Sequence, residues 1–182
     1  MPGVEPLRLD VTDPESIAAA ASVAGDATLV INNAGISTHT HLTDGDIGNI
    51  RLEMETHFFG SLGVTRAFAP VLAANGGGGF LNVLSLLSWL HVPDYGAYSA
   101  AKAAAWAMTN VARLELAPKG IQVTGLHVGY LDTDMADYVA PADKIDPAEV
   151  AALALDAVEA GLTEVLADER SRQVKQNLLA TP

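Results

Sequence analysis

Short runs of Val, Ile and Leu alternate along the chain with longer Ala-rich stretches in which apolar residues recur at helical spacing. Strands covered on both faces read as continuous apolar runs, so this alternation predicts parallel strands joined by crossover helices, an α/β domain. The strand candidates are Glu5 to Leu9, Thr28 to Ile31, Phe80 to Leu84, Gln122 to His127 and Glu164 to Leu166, each too short for an ordinary helix. Asp13-Pro14 predicts a helix running to Val23, with Asp13 as N-cap, Pro14 in its first turn and Gly25 beyond its end. A longer helical stretch covers Asp44 to Ala74, with Thr43 and Asp46 in capping-box spacing at its start. Pro70 predicts a kink or break near its end. Further helices are expected from Tyr98 to Leu116, stopped by Pro118 and Gly120, from Asp146-Pro147 to near Gly161, and over Ser171 to Leu179. The glycine run Gly76 to Gly79 follows a helix and enters a strand, the reverse of a phosphate-cradling loop, and is read as a flexible connection. There is no internal repeat and no linker long enough to separate two domains.

Composition narrows the function classes. The 182 residues carry 22 acidic against 10 basic side chains, a formal net charge of -12, no cysteine and 49% hydrophobic residues. A domain of this size buries roughly 70% of its unfolded surface and needs no disulfide or structural metal. The absence of Cys excludes a disulfide framework, a thiolate zinc site and a cysteine nucleophile. The acidic balance argues against nucleic acid or an anionic membrane as the main partner, since both repel it. No apolar stretch reaches the roughly 18 residues of a membrane span, and Met1 to Pro6 lack the basic and apolar regions of a signal peptide. A cytoplasmic location is expected.

The chemistry concentrates in Ser85, Tyr98 and Lys102. Tyr98 and Lys102 stand at i and i+4 on one helix face, close enough for the ammonium to bias the phenol. A phenol titrates near pH 10, roughly, so at neutral pH a cation beside it favours phenolate and makes it a useful proton donor and acceptor. Ser85, just past a strand, is placed to hold a carbonyl or alcohol oxygen beside that phenol. Asn32-Asn33-Ala34-Gly35 follows another strand; taken alone it reads as a turn. Ligands bind at the carboxyl ends of strands in open α/β sheets, and Asp10, Asn33, Ser85 and His127 all fall at such ends. His39 and His41 have metal-like spacing without an obvious third ligand, and a solvated loop is the better reading. Trp89, His91, Tyr95, Tyr130 and Tyr138 are candidates to line a substrate pocket, and Asp134 to Lys144 is a candidate lid.

Asn32-Asn33-Ala34-Gly35 directly after a strand, Ser85 thirteen residues before Tyr98, and Lys102 four after it together resemble the classical short-chain dehydrogenase/reductase family, over nearly the whole chain. The resemblance implies a Rossmann-like, doubly wound parallel sheet in a single, partial NAD(P)-binding domain over residues 1–182. It implies an oxidoreductase interconverting a small-molecule carbonyl and an alcohol, with NADP or NAD as cofactor and a homo-oligomer, dimer or tetramer, as the assembly. By the same resemblance Tyr98 is the acid/base, Lys102 lowers its pKa and binds the nicotinamide ribose, and Ser85 orients the substrate oxygen. Asp10 and Val11 match the adenine-pocket pair, Asn33, Ala34 and Gly35 the segment under the cofactor, and Gly129, Leu131 and Thr133 the segment at its nicotinamide end.

Three departures from the family pattern stand out. No Gly-x-x-x-Gly-x-Gly loop follows an initial strand, so the chain is expected to be N-terminally truncated, lacking the first two strands and the phosphate loop. The sheet edge beside Thr28 to Ile31 is then open, an aggregation hazard. His57 stands where the family usually has Asn; it reads either as a replacement in a proton relay or as a packed helix histidine. Val128 replaces the usual proline before Gly129, with a modest expected effect. The missing loop also supports a second reading, a non-catalytic homologue serving as an assembly or interaction module.

Overall fold

The computed structural model describes residues 3–178. Four helices open on an aspartate whose side chain accepts a backbone N–H: Asp13 before α1 (Pro14–Val23), Asp46 before α2 (Ile47–Met54), Asp146 before α5 (Pro147–Glu159) and Asp168 before α6 (Glu169–Asn177). Between α2 and α3 (Ser61–Ala74) the helix widens into a π turn, Glu55–Gly60. The remaining long helix, α4, spans Gly96–Leu116 and ends in a short turn closed by Gly120 in the left-handed region, φ 70°.

The apolar runs become β1 (Leu29–Asn32), β2 (Gly78–Val83), β3 (Ile121–His127) and β4 (Glu164–Leu166), four parallel strands in the order β1-β2-β3-β4. Neighbouring residues of β2 face opposite layers, as the pleat requires. Phe80 packs with Ile17, Phe68, Leu72 and Leu116 beneath α1, α3 and α4, whereas Leu81 packs with Leu126, Val150, Ala154 and Val165 beneath α5. Burial on both faces explains why these strands read as continuous apolar runs. Asn32 joins β1 to the centre by donating to Asn82 (2.8 Å), which donates to Thr109 on α4 (2.9 Å). Among the described residues no helix is long and apolar enough to cross a membrane.

Several expectations shift. Glu5 to Leu9 forms no strand; the segment is exposed throughout, and no strand among the described residues pairs with it. An apolar run with no neighbouring ladder to join has nothing to satisfy its backbone groups except water. The long helical stretch starts at Ile47 because Asp46 itself is the cap, bonding Asn49 N–H at 2.9 Å. Pro70 lies inside α3 without ending it: burial of Phe68, Ala69 and Leu72 outweighs the roughly 3 kcal/mol a helical proline costs. Gly76 to Gly78 have φ values of 89°, 113° and 152°, and a Cβ on Gly77 would meet the Gly120 carbonyl oxygen at 2.5 Å, so two glycine turns pack where side chains have no room. The last helix begins at Glu169, and Leu179, its expected end, lies outside the described residues, as do Met1 and Pro2.

Candidate active site

The carboxyl ends of β1, β2 and β3 open into one cleft of about 630 Å³. Three loops supply its walls: Asn33 to Ser37 after β1, Leu84 to Leu87 after β2, and Val128 to Ala136 after β3. Tyr98 and Lys102 enter from α4 and His57 from the π turn. Ser85, Tyr98, Lys102 and His57, the four expected catalytic residues, therefore share this one cavity.

Ser85 is held on both its side chain and its backbone. Its hydroxyl accepts the Leu87 N–H at 3.1 Å, and its carbonyl faces His127 Nδ1, also at 3.1 Å. His127 is fully buried and stacked on Trp89, with ring centroids 3.7 Å apart. Burial pulls the His127 imidazole down to about 4, so at neutral pH it is uncharged and its Nδ1–H donates to Ser85.

Lys102 is 6% exposed and donates to the Val83 carbonyl at 2.8 Å, which anchors its ammonium to the end of β2. Its Nζ lies 5.6 Å from the centroid of the Tyr98 ring. Desolvation lowers Lys102 to about 8, opposed by the charge of Glu53. Tyr98 moves the other way from the sequence expectation: burial pushes the phenol up, outweighing the Ser85 hydroxyl, which favours phenolate. Glu53 adds to the upward shift. Tyr98 in this geometry is a phenol that holds its proton at neutral pH.

His57 is 2% exposed, and its ring meets that of Tyr98 edge-on at 5.1 Å. Its Nε2 lies 2.8 Å from the Ile36 carbonyl oxygen and 3.1 Å from Glu53 Oε2. Desolvation lowers the imidazole, against the raising effect of Glu53. Gly35 is required here by close approach, since a Cβ on it would stand 2.9 Å from His57 Cε1. Sequence reasoning missed Glu53, a fully buried carboxylate one turn before His57. The only signal for it was its i, i+4 spacing to a histidine already singled out.

Of the expected cofactor-binding residues, Asn33, Ala34, Gly35, Tyr98, Lys102, Gly129, Leu131 and Thr133 line the cleft. Asp10 and Val11 do not. Asp10 is exposed and accepts from Thr12 N–H and hydroxyl at 2.9 and 2.7 Å, while Val11 lines a separate groove with Ile17, Phe59 and Gly60. The strand that was expected to carry the pair to the sheet's end is not formed, so nothing directs them at the cleft. Gly129 N–H donates to Asp168 at 2.8 Å, tying this loop to the start of α6. Val128 is buried in the apolar layer with Leu81 and Val150, which accounts for an aliphatic side chain at that position.

Tyr95, Tyr130 and Tyr138 line the outer cleft as expected, and the Tyr95 and Tyr138 hydroxyls bond at 2.7 Å across its mouth. Trp89 and His91 do not line it: Trp89 is turned inward onto His127 and His91 is exposed on the surface. His39 instead packs against Tyr95 and Tyr138, and His41 pairs with Asp94 and Asp44 at 2.9 and 3.3 Å. The segment from Asp134 to Lys144 contains two short helical turns, of which the first, Asp134–Ala136, and Tyr138 line the cleft.

With this geometry in view, comparison with known proteins is specific. The sequence pattern of the short chain dehydrogenase family matches residues 2–144. A crystal structure of a short chain dehydrogenase from Burkholderia cenocepacia J2315 in complex with NADP is 41% identical, with a TM-score of 0.93, covering 98% of this chain and 77% of that one. The NADPH-dependent 1-acyldihydroxyacetone phosphate reductase of Schizosaccharomyces pombe is 35% identical over 136 residues, covering 72% of this chain. Dehydrogenase/reductase SDR family member 7B of Xenopus laevis is 33% identical over 131 residues, covering 70% of this chain. The chain spans 46% and 41% of the length of those two relatives.

Proposed function

The chain belongs to the short chain dehydrogenase family, and from that membership we propose that it is an NAD(P)-dependent oxidoreductase interconverting a carbonyl and an alcohol. The observation that carries this reading is the convergence of Ser85, Tyr98 and Lys102 on one cleft at the carboxyl end of a parallel sheet. A structure 41% identical to this chain holds NADP, which supports a nicotinamide nucleotide here.

The residues present fit the nicotinamide end of such a cofactor. A buried ammonium and a phenol on one helix face suit a ribose diol, and Gly129, Leu131 and Thr133 offer polar backbone and a hydroxyl across the cleft. Asn33, Ala34 and Gly35 would lie under it. The nicotinamide supplies the hydride in reduction and removes it in oxidation.

The chain's own groups manage the proton and the oxygen. Ser85, fixed by Leu87 and His127, holds the substrate oxygen. Tyr98, kept protonated by burial, donates its O–H to that oxygen as negative charge develops on it. Lys102, anchored on Val83, stabilises the phenolate that is left behind. His57 takes part in returning the proton. In reduction the acid is loaded before the substrate arrives, and in oxidation Tyr98 first gives up its proton.

The test is Tyr98→Phe, assayed with NADPH and simple aldehydes and ketones, beside calorimetric titrations with NADPH and NADH. Turnover is expected to fall by roughly 10²- to 10⁴-fold, while nucleotide affinity changes less than about threefold. Equal turnover by both proteins overturns the reading. We further propose that residues 1–182 act as one cytoplasmic domain and that copies of the chain associate. Exposed apolar side chains on α2, the π turn and α4 support that association.

A further inference from the structure

Glu53 is tied down on one side only. Its Oε1 accepts the Thr38 N–H at 2.7 Å and the Thr38 hydroxyl at 2.9 Å, which fixes the carboxylate against the loop after β1. Its Oε2 is buried and has no well-aligned hydrogen bond, yet it lies 3.1 Å from His57 Nε2. Nothing about packing calls for an acid at a fully buried helix position, where burying an uncompensated charge is expensive.

His57 has a matching asymmetry. Its Nε2 is 2.8 Å from the Ile36 carbonyl and 3.4 Å from the Ile36 N–H, and one nitrogen makes only one of these bonds at a time. The shorter contact, with a carboxylate oxygen facing the same nitrogen, selects the tautomer in which Nε2 carries the hydrogen. Nδ1 is then the lone-pair nitrogen, and it is buried without any partner. The Cε1 and Nδ1 edge of the ring lies against Gly35, which lines the cleft, and the ring touches Tyr98. The ionisable groups around the imidazole are Glu53 from α2 and Tyr98 and Lys102 from α4.

On the oxidoreductase reading, we propose that Glu53 is a positioning residue that acts through His57: it fixes the Nε2–H tautomer, leaves Nδ1 as the unpartnered acceptor on the ring edge behind Gly35, and supplies the counter-charge when Nδ1 takes up a proton. In reduction, Tyr98 gives its O–H proton to the substrate oxygen and becomes phenolate. Nδ1, which carries a lone pair in the resting ring, takes up a proton from water admitted at its Gly35 edge, giving an imidazolium whose charge Glu53 balances, and that proton passes to the phenolate oxygen, restoring phenol and neutral imidazole. The proton comes from bulk solvent, Nε2 keeps its hydrogen throughout, and charge balances at each transfer. The asparagine usual at this position in the family carries no proton of its own and needs no counter-charge. A histidine there does, and Glu53 provides it.

The experiment combines an imidazole titration by heteronuclear NMR with pH-rate profiles on the full chain. Resting wild type is expected to show His57 neutral with hydrogen on Nε2; a neutral ring with its hydrogen on Nδ1 overturns the proposal without any variant. Glu53→Gln keeps the shape and an acceptor for Thr38 while removing the charge. It is expected to lower the His57 titration midpoint by about one unit, and to move the limb of the carbonyl-reduction profile that falls with rising pH downward by the same amount. Its loss of rate, roughly tenfold, is expected to shrink to less than about twofold in a His57→Asn background. An unchanged His57 titration in folded Glu53→Gln, or equal losses in both backgrounds, overturns the proposal and leaves Glu53 a packing role. Absence of turnover in wild type with any carbonyl tested counts against the oxidoreductase reading, while the titration still decides whether Glu53 controls His57.

Discussion

At the scale of single residues the cleft holds a charge that water would otherwise solvate. Lys102 is lowered from 10.5 to about 8 by desolvation, so below pH 8 its ammonium is carried into the folded state at a penalty. Between about 8 and 10.5 the unfolded chain binds more protons at this position than the folded one, and stability therefore rises with pH. The Tyr98 phenol is raised above its usual 10 and opposes this only at higher pH, which leaves a clean window from 8 to 10. The difference in unfolding free energy between wild type and Lys102→Met is expected to move in favour of wild type by about 2 kcal/mol across that window. Urea melts of both proteins at pH 7 and at pH 10 measure it, and a difference that stays flat counts against a buried, charged Lys102. Spacing, strand ends and the family resemblance together made Ser85, Tyr98 and Lys102 legible as a set meeting in one cleft. The direction of the Tyr98 shift was not, since it depends on how deeply the ring is buried and on Glu53, and a glutamate beside Arg51 on a helix gives no sign in sequence of being inside.

Among the elements, β3 ends where structure and chemistry meet. Its last residue, His127, hydrogen-bonds the Ser85 carbonyl through Nδ1 and stacks on Trp89, and Lys175 lies 4.5 Å from the Trp89 ring centroid. Burial lowers His127 from 6.5 to about 4, so the stability of the neutral form is fully present above pH 6.5 and is lost as pH falls toward 4. That loss amounts to about 3 kcal/mol. In His127→Gln, which keeps a side-chain donor without the titration, the loss between pH 6.5 and 4 is expected to be smaller by that amount in paired denaturation curves. Identical acid sensitivity of the two proteins sinks the assignment. Helix caps and strand cores were legible at this scale, as Asp13-Pro14 and Asp146-Pro147 illustrate, because each signal is local. Glu5 to Leu9 was misread for the opposite reason: a strand is a pairing, and its partner is not written in its own residues. The π turn at Glu55–Gly60 was equally invisible, although it carries His57.

For the molecule as a whole, the surface left apolar says where a second copy would sit. Leu52 on α2, Phe59 on the π turn, and Val111 and Leu114 on α4 are 47%, 49%, 52% and 76% exposed, and α2 packs directly against α4. Exposed leucines scattered singly are ordinary, but several large apolar side chains on helices that pack against each other make those helices a candidate interface. Both helices also carry the cleft, Glu53 from one and Tyr98 and Lys102 from the other, so association through this face would stiffen the elements that hold the proton machinery. The expected outcome is a dimer or larger assembly at micromolar concentration in sedimentation equilibrium, and Val111→Glu with Leu114→Glu should shift it toward monomer. Those two positions are solvent-facing in one copy, so a folded, monomeric double variant separates loss of the interface from loss of the fold. The sheet edge provides the control: among the described residues β1 pairs only with β2, and its Ile31 is 48% exposed. Association through that edge would be insensitive to the α4 charges and suppressed instead by Ile31→Lys. Monomer alone in the wild type at these concentrations overturns the association through either face.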